Sequence, residues 1–96
     1  GGEIVFDFAG PSAPWVSYQI DQIFVDFGDA VTAEVAIVWG SKRVVLASPG
    51  AGLYLNVTPF ELMWDQKLTL KTLGATAALT ARITASPKRQ KTQGVS

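Results

Sequence analysis

The sequence predicts an all-β fold: a single antiparallel β-sandwich or jelly roll of about seven to eight short strands with a flexible basic C-terminal tail. Apolar and polar residues alternate in short runs, which indicates strands with one buried face. Glycine and proline clusters separate these runs at spacings of about 8–14 residues, and no long run has helical periodicity. The 96 residues suffice for one domain with one modest core.

The first third of the chain predicts two strands joined by a loop. Residues 3–8 alternate, and residues 9–14 contain two prolines and a glycine. The apolar residues of segment 15–27 change parity midway: Tyr18 and Ile20 share one parity, and Ile23, Val25 and Phe27 share the other. Because a one-residue slip turns every side chain to the opposite face, a bulge or bend is predicted near Asp21-Gln22.

The middle of the chain predicts a tight hairpin followed by a further strand. Residues 32–39 alternate, and Gly40-Ser41 fits a two-residue turn into the strand 42–47. After a loop rich in glycine, the segment 53–57 alternates again. Its leucines and valine share one face, and Tyr54 lies on the other.

The last third predicts a second hairpin and then the tail. Residues 67–72 and 77–84 both alternate across Gly74, which favours two paired strands with one buried face. From Ser86 onward the chain offers cations, glutamines and Pro87 but almost nothing apolar. We therefore expect a β-sandwich domain over residues 1–85 and a basic extension over residues 86–96 that is mobile when the chain is alone.

Charges are sorted along the chain although the net charge is zero. Residues 1–41 contain six acidic residues and no Lys or Arg, and residues 66–96 contain six basic residues and no Asp or Glu. Two explanations remain open. The charges pair within one domain, because first and last strands are often neighbours, or the acidic part of one copy meets the basic part of the next.

The composition argues against catalysis, cofactors and metal binding. The chain has no cysteine and no histidine, so the usual nucleophile–base pairs and transition-metal ligands are missing. Ser41 and Lys42 are adjacent in an extended region and point to opposite faces. The motif Asp26-Phe27-Gly28-Asp29 has too few oxygen ligands for a calcium loop. We expect a non-enzymatic protein without catalytic, cofactor or metal residues.

Aromatic residues supply the candidates for partner binding. Parity places Trp39 in the core with its strand neighbours, whereas Trp15 and Trp64 lie at loop–strand junctions where exposure is expected. Tyr54 faces away from the leucines around it. Exposed rings of this kind anchor protein interfaces, or alternatively bind glycans as part of a carbohydrate-binding or host-receptor-binding module.

The tail adds Lys88, Arg89 and Lys91 as candidate contacts with an acidic neighbouring subunit. Three cations without interleaved aromatic residues give only weak contact with nucleic acid, so no specific nucleic-acid binding is expected. The longest clean apolar stretch, residues 35–39, is far too short to span a bilayer, and no membrane association is expected.

The layout resembles the small β-sandwich structural proteins of tailed bacteriophage virions. The matching residues are Pro14-Trp15, Ile23-Phe24-Val25-Asp26-Phe27, and Leu68-Thr69-Leu70 through Gly74-Ala75-Thr76-Ala77. This resemblance implies a virion protein, either a capsid decoration (cement) protein or a tail or neck component. It also implies a homo-oligomer or a partner of capsid or tail proteins, with the basic tail as an arm that orders on a neighbouring subunit.

Overall fold

The computed structural model describes residues 3–74 and 79–89. These residues form eight β-strands and no helix, so no helix in the described part of the chain could cross a membrane. In chain order the strands are β1 (Glu3–Ala9), β2 (Val16–Asp26), β3 (Thr32–Trp39), β4 (Lys42–Ala47), β5 (Leu53–Asn56), β6 (Phe60–Leu62), β7 (Lys67–Leu73) and β8 (Thr80–Arg89).

The strands form two antiparallel sheets in a sandwich-like arrangement, which confirms the all-β prediction. Sheet A has the order β1-β7-β3-β4. In sheet B, the long strand β2 is central: β8 runs along one side of it, and β5 and β6 pair in succession along the other. The more specific expectation of a jelly roll is not confirmed.

The core lies between the inner faces of the two sheets. Strand β2 contributes on both sides of a bulge, because its pairing with β8 shifts register between Ile20 and Gln22. This confirms the predicted bulge, and it lets Ile20 and Ile23 both point inward with no exposed surface. The fully buried large side chains of the core are Phe27, Ile20, Ile23, Leu62, Leu68, Leu70, Val25 and Val35.

The two-residue turn at Gly40-Ser41 is confirmed, since Trp39 pairs with Lys42 directly across it. Gly40 has a φ of 57°, the left-handed conformation that such hairpin turns require and that glycine adopts without strain. The hairpin predicted across Gly74 is wrong. Strand β7 pairs with β1 and β3 in sheet A, whereas β8 pairs with β2 in sheet B. Alternation identifies a half-buried strand but does not specify which strand it pairs with.

The expected boundary between body and tail does not coincide with the end of strand β8. The strand continues through Arg89, with Ser86 opposite Gln19 and Lys88 opposite Ser17. Backbone pairing on a sheet edge needs no apolar side chain, and an edge strand tolerates Pro87 because one row of its N–H groups has no partner strand. Residues 90–96, including Lys91, lie outside the described part of the chain.

The acidic and basic parts of the sequence meet within the domain where β1 pairs with β7. Lys71 lies 2.9 Å from the Glu3 carboxylate, and Lys67 lies 3.4 Å from that of Asp7. The explanation by pairing within one domain is therefore confirmed for these strands.

Candidate functional site

Sheet A is one strand wider than sheet B, and the extra strand is β4. At the β1 side, Ile4 and Phe8 pack against the core, and the Phe8 ring centroid lies 6.1 Å from that of Tyr18 on sheet B. At the β4 side, Val44 pairs with Ile37 and so points to the inner face, yet 46% of its surface is exposed. The second sheet therefore leaves most of β4 uncovered.

Strands β4 and β5, and Val57 just after β5, each present exposed apolar side chains on this side of the molecule. Residues 48–52 connect β4, the outermost strand of sheet A, directly to β5, an outer strand of sheet B. Within the described residues, β4 pairs only with β3. We call this surface the apolar margin, and its exposed side chains are Val44, Val45, Leu46, Leu53, Leu55 and Val57.

The opposite side of the molecule is formed by β1 and β8, whose exposed side chains include four charged ones. A cleft of about 330 Å³ lies between these strands, lined by Phe8, Tyr18 and Ala85 among others. Val5 is exposed on the outer face of β1, where Glu3 and Asp7 flank it, and Phe6 is exposed on the inner face, opposite Leu70. We call this surface the charged margin, and its exposed charged side chains are Glu3, Asp7, Arg82 and Lys88.

A third feature is a cleft of about 520 Å³ beside the end of β3. Trp39 and Trp64 both line it, together with Pro11, Ser12 and Asp65 among others, and we call it the Trp cleft. The expectation that Trp39 belongs to the core is wrong, because it is only half-buried and lies outside the core cluster. Trp39 has the same parity as Val35 and Ile37, but Ile37 is the last inward residue of β3 that packs against the core.

A loop and a turn held closely together form one wall of the Trp cleft. The Gly10 N–H donates to the Gln66 carbonyl at 2.8 Å. A Cβ atom at Gly10 would lie 2.5 Å from the Met63 carbonyl oxygen and 2.6 Å from that of Gln66, so only glycine fits there. The Met63 N–H donates to the Gln66 side-chain Oε1 at 2.7 Å, which closes the turn that presents Trp64 and Asp65.

The residues predicted to bind partners do not form one surface. Trp64 lies in the Trp cleft, and Trp15 is exposed but does not line that cleft. Tyr54 points inward and packs against the core, so the exposed side of β5 is its leucine side. Lys88 is exposed on β8, whereas for Arg89 only the backbone position opposite Val16 is described.

Sequence reasoning missed the apolar margin, although the sequence contains a signal for it. Val44, Val45 and Leu46 are three consecutive apolar residues in a strand. Since successive side chains point to opposite faces, such a run makes both faces apolar. A strand with two apolar faces must be buried on both sides or must meet a partner, and β4 is not buried.

The acidic residues have structural roles where their contacts are seen. Asp26 accepts a hydrogen bond from the Gly28 N–H at 2.9 Å, which stabilises the turn after β2. Arg43 pairs with Glu34 across β3 and β4. Within residues 3–74 and 79–89, no group of three acidic side chains lies close enough together to hold a metal ion.

Comparison with protein-family models, with curated proteins and with solved structures found no match to this chain.

Proposed function

We propose that the chain is a non-enzymatic structural subunit of a repeated assembly and that copies of it associate through the apolar margin. The sequence resemblance favours a virion as that assembly, with a place in capsid decoration or in the tail or neck. The observation that supports this proposal is the exposure of Val44, Val45 and Leu46, which is 43–46% on a strand without an outer neighbour among the described residues.

An uncovered edge strand favours pairing with another strand. Its outward N–H and C=O groups are free to form a ladder, and its apolar side chains gain about 25 cal/mol for each Å² removed from water. Leu53 and Leu55 are exposed as well, on the outer face of sheet B, because they lie opposite Asp26 and Phe24 while Tyr54 points inward. Consecutive exposed apolar side chains on an edge strand, such as Val44, Val45 and Leu46, favour an interaction site there.

A second copy of the chain is a suitable partner for β4. In an antiparallel pair of identical strands centred on Val44, the two copies of Lys42 are about four residues apart, or about 14 Å. That separation exceeds the distance of about 8 Å over which charges interact at physiological salt. The copies of Val44 and Val45 meet at the centre, and Arg43, which lies beside them, is already paired with Glu34.

The contact between two β4 strands is short. The pairing of β3 with β4 shifts register between Val35 and Ala36, which places a bulge at Leu46. A new strand can therefore pair regularly only with the part of β4 before the bulge. We expect weak association between free subunits, which a lattice strengthens because each subunit is held by several neighbours at once.

The experiment compares one substitution at each margin. Val45→Lys places a charge at the centre of the β4 edge, and Val5→Lys places the same charge on β1 at the other edge of the same sheet. Val45 and Val5 are 45% and 51% exposed. In light scattering after size exclusion, at chain concentrations up to about 1 mM, we expect the wild-type chain and Val5→Lys to self-associate. Val45→Lys should remain monomeric.

Circular dichroism and thermal unfolding of the monomeric state check that both variants are folded. The proposal is wrong if the wild-type chain stays monomeric over the whole concentration range. It is also wrong if Val5→Lys and Val45→Lys reduce association equally, because the β4 edge would then have no special role.

A further inference from the structure

We infer that the Trp cleft binds a saccharide, with a neutral sugar ring packed against the indoles of Trp39 and Trp64 and its hydroxyl groups bound by Asp65. This site is separate from the apolar margin, and the inference does not depend on the proposed assembly. It rests on the aromatic pair in the cleft, the backbone conformation of Asp65 and the polar groups that remain free around it.

The size and lining of the Trp cleft fit a small ligand. Its volume of about 520 Å³ lies within the range of about 300–1,000 Å³ that small-molecule sites occupy. Trp39 is half-buried, and Trp64 is 45% exposed. Aromatic walls with a few polar groups between them are typical of ligand sites, and the C–H groups of a sugar ring pack on the electron-rich face of an indole.

Asp65 has a strained backbone conformation next to this aromatic pair. Its φ is 59°, and among the described residues it is the only residue other than glycine with a positive φ. Glycine would adopt this conformation without a steric penalty. Strain of this kind persists where the surrounding structure fixes it, and it is concentrated at functional sites. The turn therefore presents a carboxylate at the cleft where a glycine would be the less strained residue.

The polar groups of the cleft divide into occupied and free ones. The Lys67 ammonium pairs with Asp7, and the Gln66 Oε1 accepts the Met63 N–H. In contrast, no hydrogen bond or ion pair of the Asp65 or Ser12 side chain is seen in the described part of the chain. The Asp65 carboxylate can accept hydrogen bonds from sugar hydroxyls, and the Ser12 hydroxyl can both donate to them and accept from them.

This chemistry favours a neutral saccharide over other ligands. An anionic ligand would meet the Asp65 carboxylate, and the Lys67 ammonium of the cleft is already paired. A proline-rich peptide could stack on the indoles, but its ring offers no hydroxyl for Asp65. Charge-assisted hydrogen bonds from sugar hydroxyls to the carboxylate would make binding depend on Asp65 as well as on Trp64.

The test is a nuclear magnetic resonance titration of the full chain with four neutral probes: maltohexaose, cellohexaose, mannohexaose and N-acetylchitohexaose. Probe concentrations up to about 10 mM cover dissociation constants into the millimolar range. We expect at least one probe to shift the indole N–H signals of Trp39 and Trp64 while leaving that of Trp15 unchanged. A proline-rich decapeptide serves as the competing ligand class and should cause no such shift.

Variants separate the roles of the residues. Trp64→Ala should weaken binding of the active probe at least about tenfold, whereas Trp15→Ala is the matched control and should bind as the wild type does. Asp65→Gly should also weaken binding about tenfold, since it removes a charged hydrogen-bond acceptor. It should at the same time raise the melting temperature, because it relieves the backbone strain.

The inference is overturned if none of the four probes shifts either indole signal, or if the decapeptide alone does so. It is also overturned if Trp15→Ala and Trp64→Ala weaken binding equally. Val45→Lys, which tests the assembly, should leave probe binding unchanged. Failure of one proposal can thus be distinguished from failure of the other.

Discussion

The two sides of this sandwich end in strands of opposite character. At the charged margin, Glu3 and Asp7 flank the exposed Val5 and are paired with lysines of β7. At the apolar margin, β4 presents Val44, Val45 and Leu46 in sequence. Charged residues on an edge strand prevent it from pairing with other chains. Edge strand β1 is therefore protected against association by its charged residues. Edge strand β4 is protected only by Lys42 and Arg43 at its beginning and by the bulge at Leu46.

This difference between the two edges determines whether copies of the chain form a closed pair or an open chain. A subunit with one self-complementary edge forms a closed pair, because a two-fold contact uses the same surface on both copies. A subunit with two adhesive edges on opposite sides forms an open chain. We infer that the acidic residues of β1 limit strand pairing between free copies to one side of the sandwich, and the predictions below test that comparison.

The largest effect is expected when the charged margin is made apolar. The double variant Glu3→Val/Asp7→Val gives β1 an apolar outer row around Val5. It should convert a discrete oligomer into open-ended assemblies, since both edges of sheet A would then favour strand pairing. Light scattering and electron microscopy would detect the growth in mass and length.

The control for this prediction is Glu3→Gln/Asp7→Asn, which removes both charges but keeps the positions polar. It should cause less growth in mass than the valine double variant, because it removes the charges without adding apolar surface. If the valine double variant keeps the wild-type mass, the acidic residues do not protect the β1 edge.

A smaller effect separates packing from association. Phe8 lies at the charged margin but packs against the core, so Phe8→Ala should lower the free energy of unfolding by about 2–4 kcal/mol and leave association intact. Leu55 at the apolar margin is 56% exposed, so Leu55→Ala should change the free energy of unfolding by at most about 0.5 kcal/mol. It should instead weaken association.

Urea unfolding of dilute monomer and sedimentation of concentrated samples measure the two quantities separately. If Leu55→Ala destabilises the monomer as much as Phe8→Ala does, Leu55 belongs to the fold of the single chain and not to an interface.

Local features of this fold could be predicted from the sequence, because they depend on neighbouring residues. The bulge in β2 follows from the parity change between Ile20 and Ile23, and the turn after Trp39 follows from the glycine there. Each of these conclusions needs only the alternation of side chains along one strand. The fold class follows from the same alternation repeated along the chain.

The pairing of strands and the extent of each sheet could not be predicted in this way. The alternation on both sides of Gly74 is real, but β7 and β8 belong to different sheets. Trp39 has the parity of a core residue, yet parity does not tell how far the opposite sheet reaches. Both the Trp cleft and the apolar margin depend on how far sheet B covers sheet A, and only the three-dimensional arrangement defines that extent.

The smallest effect concerns the ion pairs of the charged margin. Lys71 and Glu3 are 2.9 Å apart, and their side chains are 42% and 49% exposed. Exposed pairs gain little, because water screens the attraction and both side chains lose rotamer freedom. A double-mutant cycle with Glu3→Gln and Lys71→Met should therefore give a coupling energy of at most about 0.5 kcal/mol, measured by urea unfolding.

The same measurements in high salt sharpen the comparison between the two margins. The coupling between Glu3 and Lys71 should decrease in about 1 M sodium chloride, where the screening length of about 3 Å is close to the 2.9 Å between the two charges. Association through the apolar margin should persist there and should strengthen in sodium sulfate, which favours burial of apolar surface. A coupling energy above about 1.5 kcal/mol would make the Glu3–Lys71 pair a stabilising element of the fold. Association that disappears with salt would instead point to charges, rather than Val44, Val45 and Leu46, as the basis of the contact.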